Sequence, residues 1–140
     1  MKLTKVAWVY GFFLLAGMAL VMEGAPVPTV RIGGSSLQAN GQDARGFQYS
    51  GSCPVALKFG WSLQTTEPAI AYYSFTKNDG SHPRGGSVNL TPGRSGFVYL
   101  NWNVGTNNPQ FANYHGFVEL NVESPNRVSQ KIGFTLHCGG

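Results

Sequence analysis

The sequence predicts an all-β fold, an antiparallel β-sandwich of about seven strands. Three observations predict it. From Phe47 onward, stretches of alternating apolar and polar residues recur, as in "VALKFGWSL" at 55–63. Clusters of turn-forming residues, "KNDGSHPRGG", "TPGRSG" and "ESPN", separate those stretches. Beyond the first 24 residues, no segment carries apolar residues at helical spacing with capping signals. A small closed barrel is the competing architecture; uneven strand lengths and long central turns favour two packed layers.

Taken in order, the chain opens on "MKLTK" and then seventeen residues, "VAWVYGFFLLAGMALVM", without a charge. That charged-then-apolar order is a secretory signal peptide, a signal helix assigned to 1–24; an uncleaved membrane anchor is the alternative. Residues 25–45, "APVPTVRIGGSSLQANGQDAR", are rich in Pro, Gly, Ser, Gln and Asn. They are expected to form a spacer, with at most one short edge strand near Val30 and Ile32. The sandwich domain is assigned to 46–140, starting with a strand near "FQYS".

Within it, Val55, Leu57, Phe59, Trp61 and Leu63 share one face of the first long strand. "AIAYYSFT" at 69–76 is the next strand, closed by the Asp79-Gly80 turn. "SVNL" is short. "FVYLNWNV" at 97–104 turns Val98, Leu100, Trp102 and Val104 one way and Phe97 and Tyr99 the other. "GFVELNV" at 116–122 and "VSQKIGFTLHC" at 128–138 complete the set, with Val118, Leu120 and Val122, then Ile132, Phe134 and Leu136, facing inward.

Composition sets the class. With 140 residues the chain is long enough for one domain with a core, and 42% apolar content is globular. Only 11% of residues are charged, beside 19 glycines and 8 prolines, which suits short strands and many turns. Without residues 1–24 the chain keeps eight Lys/Arg against five Asp/Glu, a charge near +3. The basic residues are scattered, so no stripe for nucleic acid is visible and the charge reads first as a solubility charge; the alternative is attraction to anionic surfaces such as cell-wall polymers or lipid headgroups.

Cys53 and Cys138 are the chain's two cysteines, at the two ends of the patterned region. In an exported protein such a pair most simply forms one disulfide, here tying first strand to last. The competing readings are a redox pair or a metal site. Redox pairs usually sit two residues apart, and His82, His115 and His137 show no ligand-like spacing.

The order "CPVALKFG", "IAYYSFTKNDG", "FVYLNWNVG", "GFVELNVESPN", "SQKIGFTLHC" resembles a group of bacterial exported immunoglobulin-like β-sandwich domains, over about 60% of the chain. The resemblance implies an immunoglobulin-like fold and export, to the periplasm or outside the cell, without implying an activity.

Nothing in the sequence points to catalysis. There is no G-x-S-x-G elbow, and the carboxylates Asp43, Glu67, Asp79, Glu119 and Glu123 form no evident pair. Glu119 and Glu123 take the solvent-facing parity of their strand, and Asp79 shapes its turn. No catalytic residue, metal or cofactor is expected. The Asn89-Leu90-Thr91 sequon, followed by Pro92, is taken as chance.

Binding is the function expected. Trp61 and Trp102 fall on core parities, whereas Tyr73, Phe97, Tyr99 and Tyr114 are candidates for an outer aromatic face that stacks a cell-envelope glycan or docks a protein. The loops at 78–86, with His82 and Arg84, and at 105–115 are the other candidates. The alternative is an exported inhibitor or immunity protein that inserts the 78–86 loop into an enzyme, with Arg84 as the wedge; an envelope hydrolase ranks third. Expected partners are a protein or an envelope glycan, no nucleic acid, and a membrane only through an uncleaved leader.

Overall fold

The structure is a computed structural model that describes residues 26–139. The leader assigned to 1–24 lies outside the described residues. Nine strands follow: β1 Val30–Ala39, β2 Gln42–Asp43, β3 Gln48–Gly51, β4 Val55–Thr65, β5 Ala69–Lys77, β6 Gly86–Leu90, β7 Gly96–Val104, β8 Tyr114–Ser124 and β9 Val128–Cys138. They form two sheets, one ordered β2-β1-β4-β7 and one ordered β3-β9-β8-β5-β6. The fold is all-β and two-layered, as the alternation predicts.

The inward residues are those that the two-residue period selects. Val55, Leu57, Phe59, Trp61 and Leu63 of β4 are fully buried, and they face Val118, Leu120 and Val122 of β8 with Ile132, Phe134 and Leu136 of β9. Phe59 meets Phe134 edge-on at 5.5 Å between centroids, and Trp61 meets Phe75 at 5.7 Å, so aromatic contacts bridge the layers. Trp102 is only half-buried. Its ring stands edge-on to Phe134 at 5.9 Å, with the Lys77 ammonium 4.1 Å from its centroid.

Residues 25–45 are not the spacer that their composition suggests. Ten of them form β1, which lies between β2 and β4 and buries Val30, Leu37 and Ala39 in the core. The pairing of β1 with β4 slips between Ile32 and Gly34, a β-bulge at Gly33. The extra residue switches the inward parity from Val30 and Ile32 to Leu37 and Ala39, and so hides the strand from a search for strict alternation. Asn40-Gly41, with φ of 49° and 81°, then turns β1 into β2. Two residues with positive φ are the chemistry of a tight hairpin, and the Asn-Gly pair was the available signal for it. The start of β1 is pinned from across the molecule: Val30 N–H donates to Asn126 Oδ1 at 2.7 Å, and Asn126 Nδ2 donates to the Val30 carbonyl at 2.9 Å.

The strand near "FQYS" is present as β3, but it pairs parallel to β9, against the antiparallel expectation; the other pairings are antiparallel. Cys53 and Cys138 form a disulfide, with Cα atoms 5.5 Å apart. It does not tie first strand to last, because β1, β2 and β3 precede Cys53. Instead it closes one end of the sandwich where the chain crosses between layers, from β3 beside β9 into β4 of the other sheet. For a separation of 85 residues, the loss of chain entropy in the unfolded state contributes at most about 4–5 kcal/mol.

Candidate functional site

The outer face of the four-stranded sheet carries the aromatic pair. Strand parity turns Val98 into the core and Phe97 and Tyr99 outward, where they are 58% and 50% exposed. Their rings are nearly parallel, 15° apart with centroids separated by 6.4 Å. Across the ladder, Ser62 pairs with Phe97 and Gly60 with Tyr99, and on the far side Ser36 pairs with Gly60. Gly60 is needed there: a methyl group would lie 3.0 Å from Tyr99 Cε1 and 2.8 Å from Ser36 Oγ. The absent side chain lets Tyr99 settle against the neighbouring backbone. Serine hydroxyls at 35, 36 and 62 line the shallow cleft of about 250 Å³ that the two rings border. One rung further along, Lys58 pairs with Asn101, and its ammonium lies 4.3 Å from the Tyr99 centroid.

The other aromatic candidates do not join this pair. Tyr73 belongs to the second sheet, where a register shift between Tyr72 and Tyr73 sets it opposite the buried Val122. Its ring packs edge-on against Phe75 at 5.5 Å, and Tyr72 is the residue left half-exposed outside. An outer-face role for Tyr73 is therefore corrected: it shares the inward parity of Ala71 and Phe75, both buried, and leaves the outer face to Tyr72. Tyr114 is half-buried between Phe111, at 4.8 Å, and Phe134, at 6.2 Å, and its hydroxyl accepts a hydrogen bond from Asn78 Nδ2 at 2.6 Å. Asn78 Oδ1 accepts from Phe117 N–H, so Tyr114 serves as a brace between the end of β5 and β8.

The 78–86 loop lies back along β5. Phe75 N–H donates to the Pro83 carbonyl and Lys77 N–H to that of Ser81, and a methyl at Gly85 would sit 1.6 Å from the Tyr73 carbonyl oxygen. Asp79 organises its turn as expected. Hydrogen bonds from the Ser81 hydroxyl and then the Ser81 N–H, with the charge of Lys77, hold its carboxyl below the ordinary carboxylate range. Arg84 is exposed, and His82 reaches Thr76 at 3.4 Å, on the rim of a polar groove of about 740 Å³ between β5 and β8. His115 and His137 are engaged elsewhere, with Thr135 and the Ala112 carbonyl.

Sequence reasoning passed over one feature of the aromatic face. At the end of β1 and β4 that is nearest Phe97, Arg31 and Arg94 border a cavity of about 340 Å³ with Thr29, Thr65, Thr66 and Ser95. The two arginines are 63 residues apart in the chain, and without the pairing of β1 with β4, which the spacer assignment omitted, nothing in the sequence places them on one cavity. No family model matches the chain, and no curated protein matches it.

Proposed function

We propose that this chain is a non-catalytic, exported immunoglobulin-like module that binds a cell-envelope glycan on the outer face of its four-stranded sheet. The observation that carries this reading is the Phe97–Tyr99 pair, half-exposed and nearly parallel on a regular strand. Burying a side chain of this kind is worth about 1.5–3 kcal/mol, so folding stability alone favours covering both rings. Tyr99 has a partial structural duty over Gly60; Phe97, at 58% exposed, has none of that kind. Flat rings offer stacking for the C–H face of a sugar, and Ser36, Ser62 and Asn101 offer hydroxyl and amide partners at its rim.

Export is supported by the disulfide, a bond that persists in oxidising compartments, and by the apolar leader in the sequence. The glycan reading is preferred to loop insertion because the 78–86 segment is hydrogen-bonded along β5 rather than projecting from the body. The test is a glycan array followed by calorimetry on the wild type, Phe97→Ala and Tyr99→Ala. Each variant is expected to bind about tenfold or more weakly, with thermal unfolding within a few degrees of wild type. Equal affinity for all three proteins, or no glycan retained by any, contradicts the reading.

A further inference from the structure

We propose that Arg31 and Arg94 form an oxyanion pocket that selects acidic polysaccharide, binding a carboxylate or sulfate group of a chain whose neighbouring sugar lies on Phe97 and Tyr99. The proposal rests on the glycan reading and specifies its substrate class. Register supplies the continuity. Arg31 pairs with Gln64, Ser62 with Phe97 and Gly60 with Tyr99, so arginine, phenylalanine and tyrosine occupy successive rungs of one outer face. Two residues of strand advance about 7 Å, which places the arginine rung about 13–14 Å from the Tyr99 rung along β4. A single extended ligand lying along β4 touches all three.

The cavity is built for negative charge. Both guanidinium-bearing residues border the same 340 Å³ space, and no carboxylate lines it or the adjoining aromatic cleft. Two cations bordering one concave wall give it a positive field, which a bound oxyanion neutralises. Guanidinium groups match the two oxygens of a carboxylate or sulfate with paired N–H donors. Arg94 is held at the rim by the Thr91–Arg94 turn, in which Pro92-Gly93 occupies the centre, Gly93 has φ of 81°, and Arg94 N–H donates to the Thr91 carbonyl at 3.2 Å. Thr66 Oγ1 accepts the Thr29 N–H at 2.9 Å, which leaves the Thr66 hydroxyl hydrogen for another acceptor.

The acidic residues lie elsewhere. Glu119 and Glu123 are on the second sheet, the first opposite Lys131 and the second accepting a hydrogen bond from Ser74. Asp43 stands beside Gln38 at the far end of the aromatic face. Glu67 follows Thr66 in the chain but is not among the walls of the cavity.

The experiment is calorimetry of the intact protein with dextran sulfate against dextran and with oligogalacturonate against its methyl ester, at low and high salt, for the wild type, Arg31→Gln, Arg94→Gln and Phe97→Ala. The wild type is expected to bind at least one charged polymer roughly tenfold more tightly than its neutral counterpart, a preference that shrinks with salt. Which charged polymer wins tells sulfate from carboxylate. Arg31→Gln and Arg94→Gln should each erase most of that preference and leave neutral binding unchanged, whereas Phe97→Ala should weaken both. Arginine variants that keep the full preference overturn the oxyanion pocket and leave the glycan reading standing. Sulfate-induced shifts of the arginine side-chain NMR signals without binding of any polymer retain an anion site and overturn the acidic-glycan assignment. Tighter binding of oligothymidylate than of either charged polymer overturns it in favour of single-stranded nucleic acid.

Discussion

Asn126 shows how one side chain can hold a layer in place. Its amide meets both the N–H and the carbonyl of Val30, across 96 residues of chain, and its two contacts are partly buried. Removing it leaves two backbone groups short of partners at the point where β1 enters the core. Asn126→Ala is expected to lower stability by about 1–3 kcal/mol, measured by urea denaturation, with the binding face unaffected. A loss below a few tenths of a kcal/mol contradicts this assignment. Trp61 is a residue of the opposite kind: it is fully buried, and its indole N–H finds no partner among the described residues. Its parity in "VALKFGWSL" made its burial legible, whereas nothing in the sequence foretells the unmatched donor, which depends on the facing layer.

At the scale of elements, legibility follows the regularity of each strand. β4, β7 and β9 are regular and half-buried, as is β8 as far as Val122, and their inward residues are readable from alternation. β1 is not, because the bulge at Gly33 splits it into two short runs of opposite parity, and its glycines and serines mimic a linker. Tyr73 is a different case: no slip in β5 hides it, since it shares the parity of the buried Ala71 and Phe75, and the extra residue where β5 meets β8 is Glu123 of β8. Phe97 and Tyr99 were legible as an outward pair because β7 has no such slip. The arginine cavity was illegible for a related reason, being assembled from β1, β4 and the β6–β7 turn, and therefore invisible without β1. If β1 is a strand of the sandwich, a protein beginning at Gly46 should lack the cooperative urea transition of one beginning at Pro26, because the buried Val30, Leu37 and Ala39 are gone from the edge of β4. Equal midpoints for the two would restore the spacer.

For the whole molecule, the two sheets present unlike surfaces. The outer face of the five-stranded sheet mixes Glu119, Glu123, Lys131 and a polar groove between β5 and β8. The outer face of the four-stranded sheet sets two aromatic rings between an arginine cavity and Lys58. The disulfide closes one end of the two layers, which keeps the ladder of β4 and β7, and with it the spacing of the aromatic and arginine rungs, on a rigid body. Among the described residues no helix is long and apolar enough to cross a membrane.

Amide chemical-shift mapping of the nitrogen-15-labelled protein titrated with dextran sulfate and with oligogalacturonate tests the central claim most directly. The account predicts perturbations confined to residues 29–36, 58–66 and 93–101, with β8 and β9 silent. Perturbations centred on Ser74, Asn121 and Arg127, or on the 78–86 loop, contradict it.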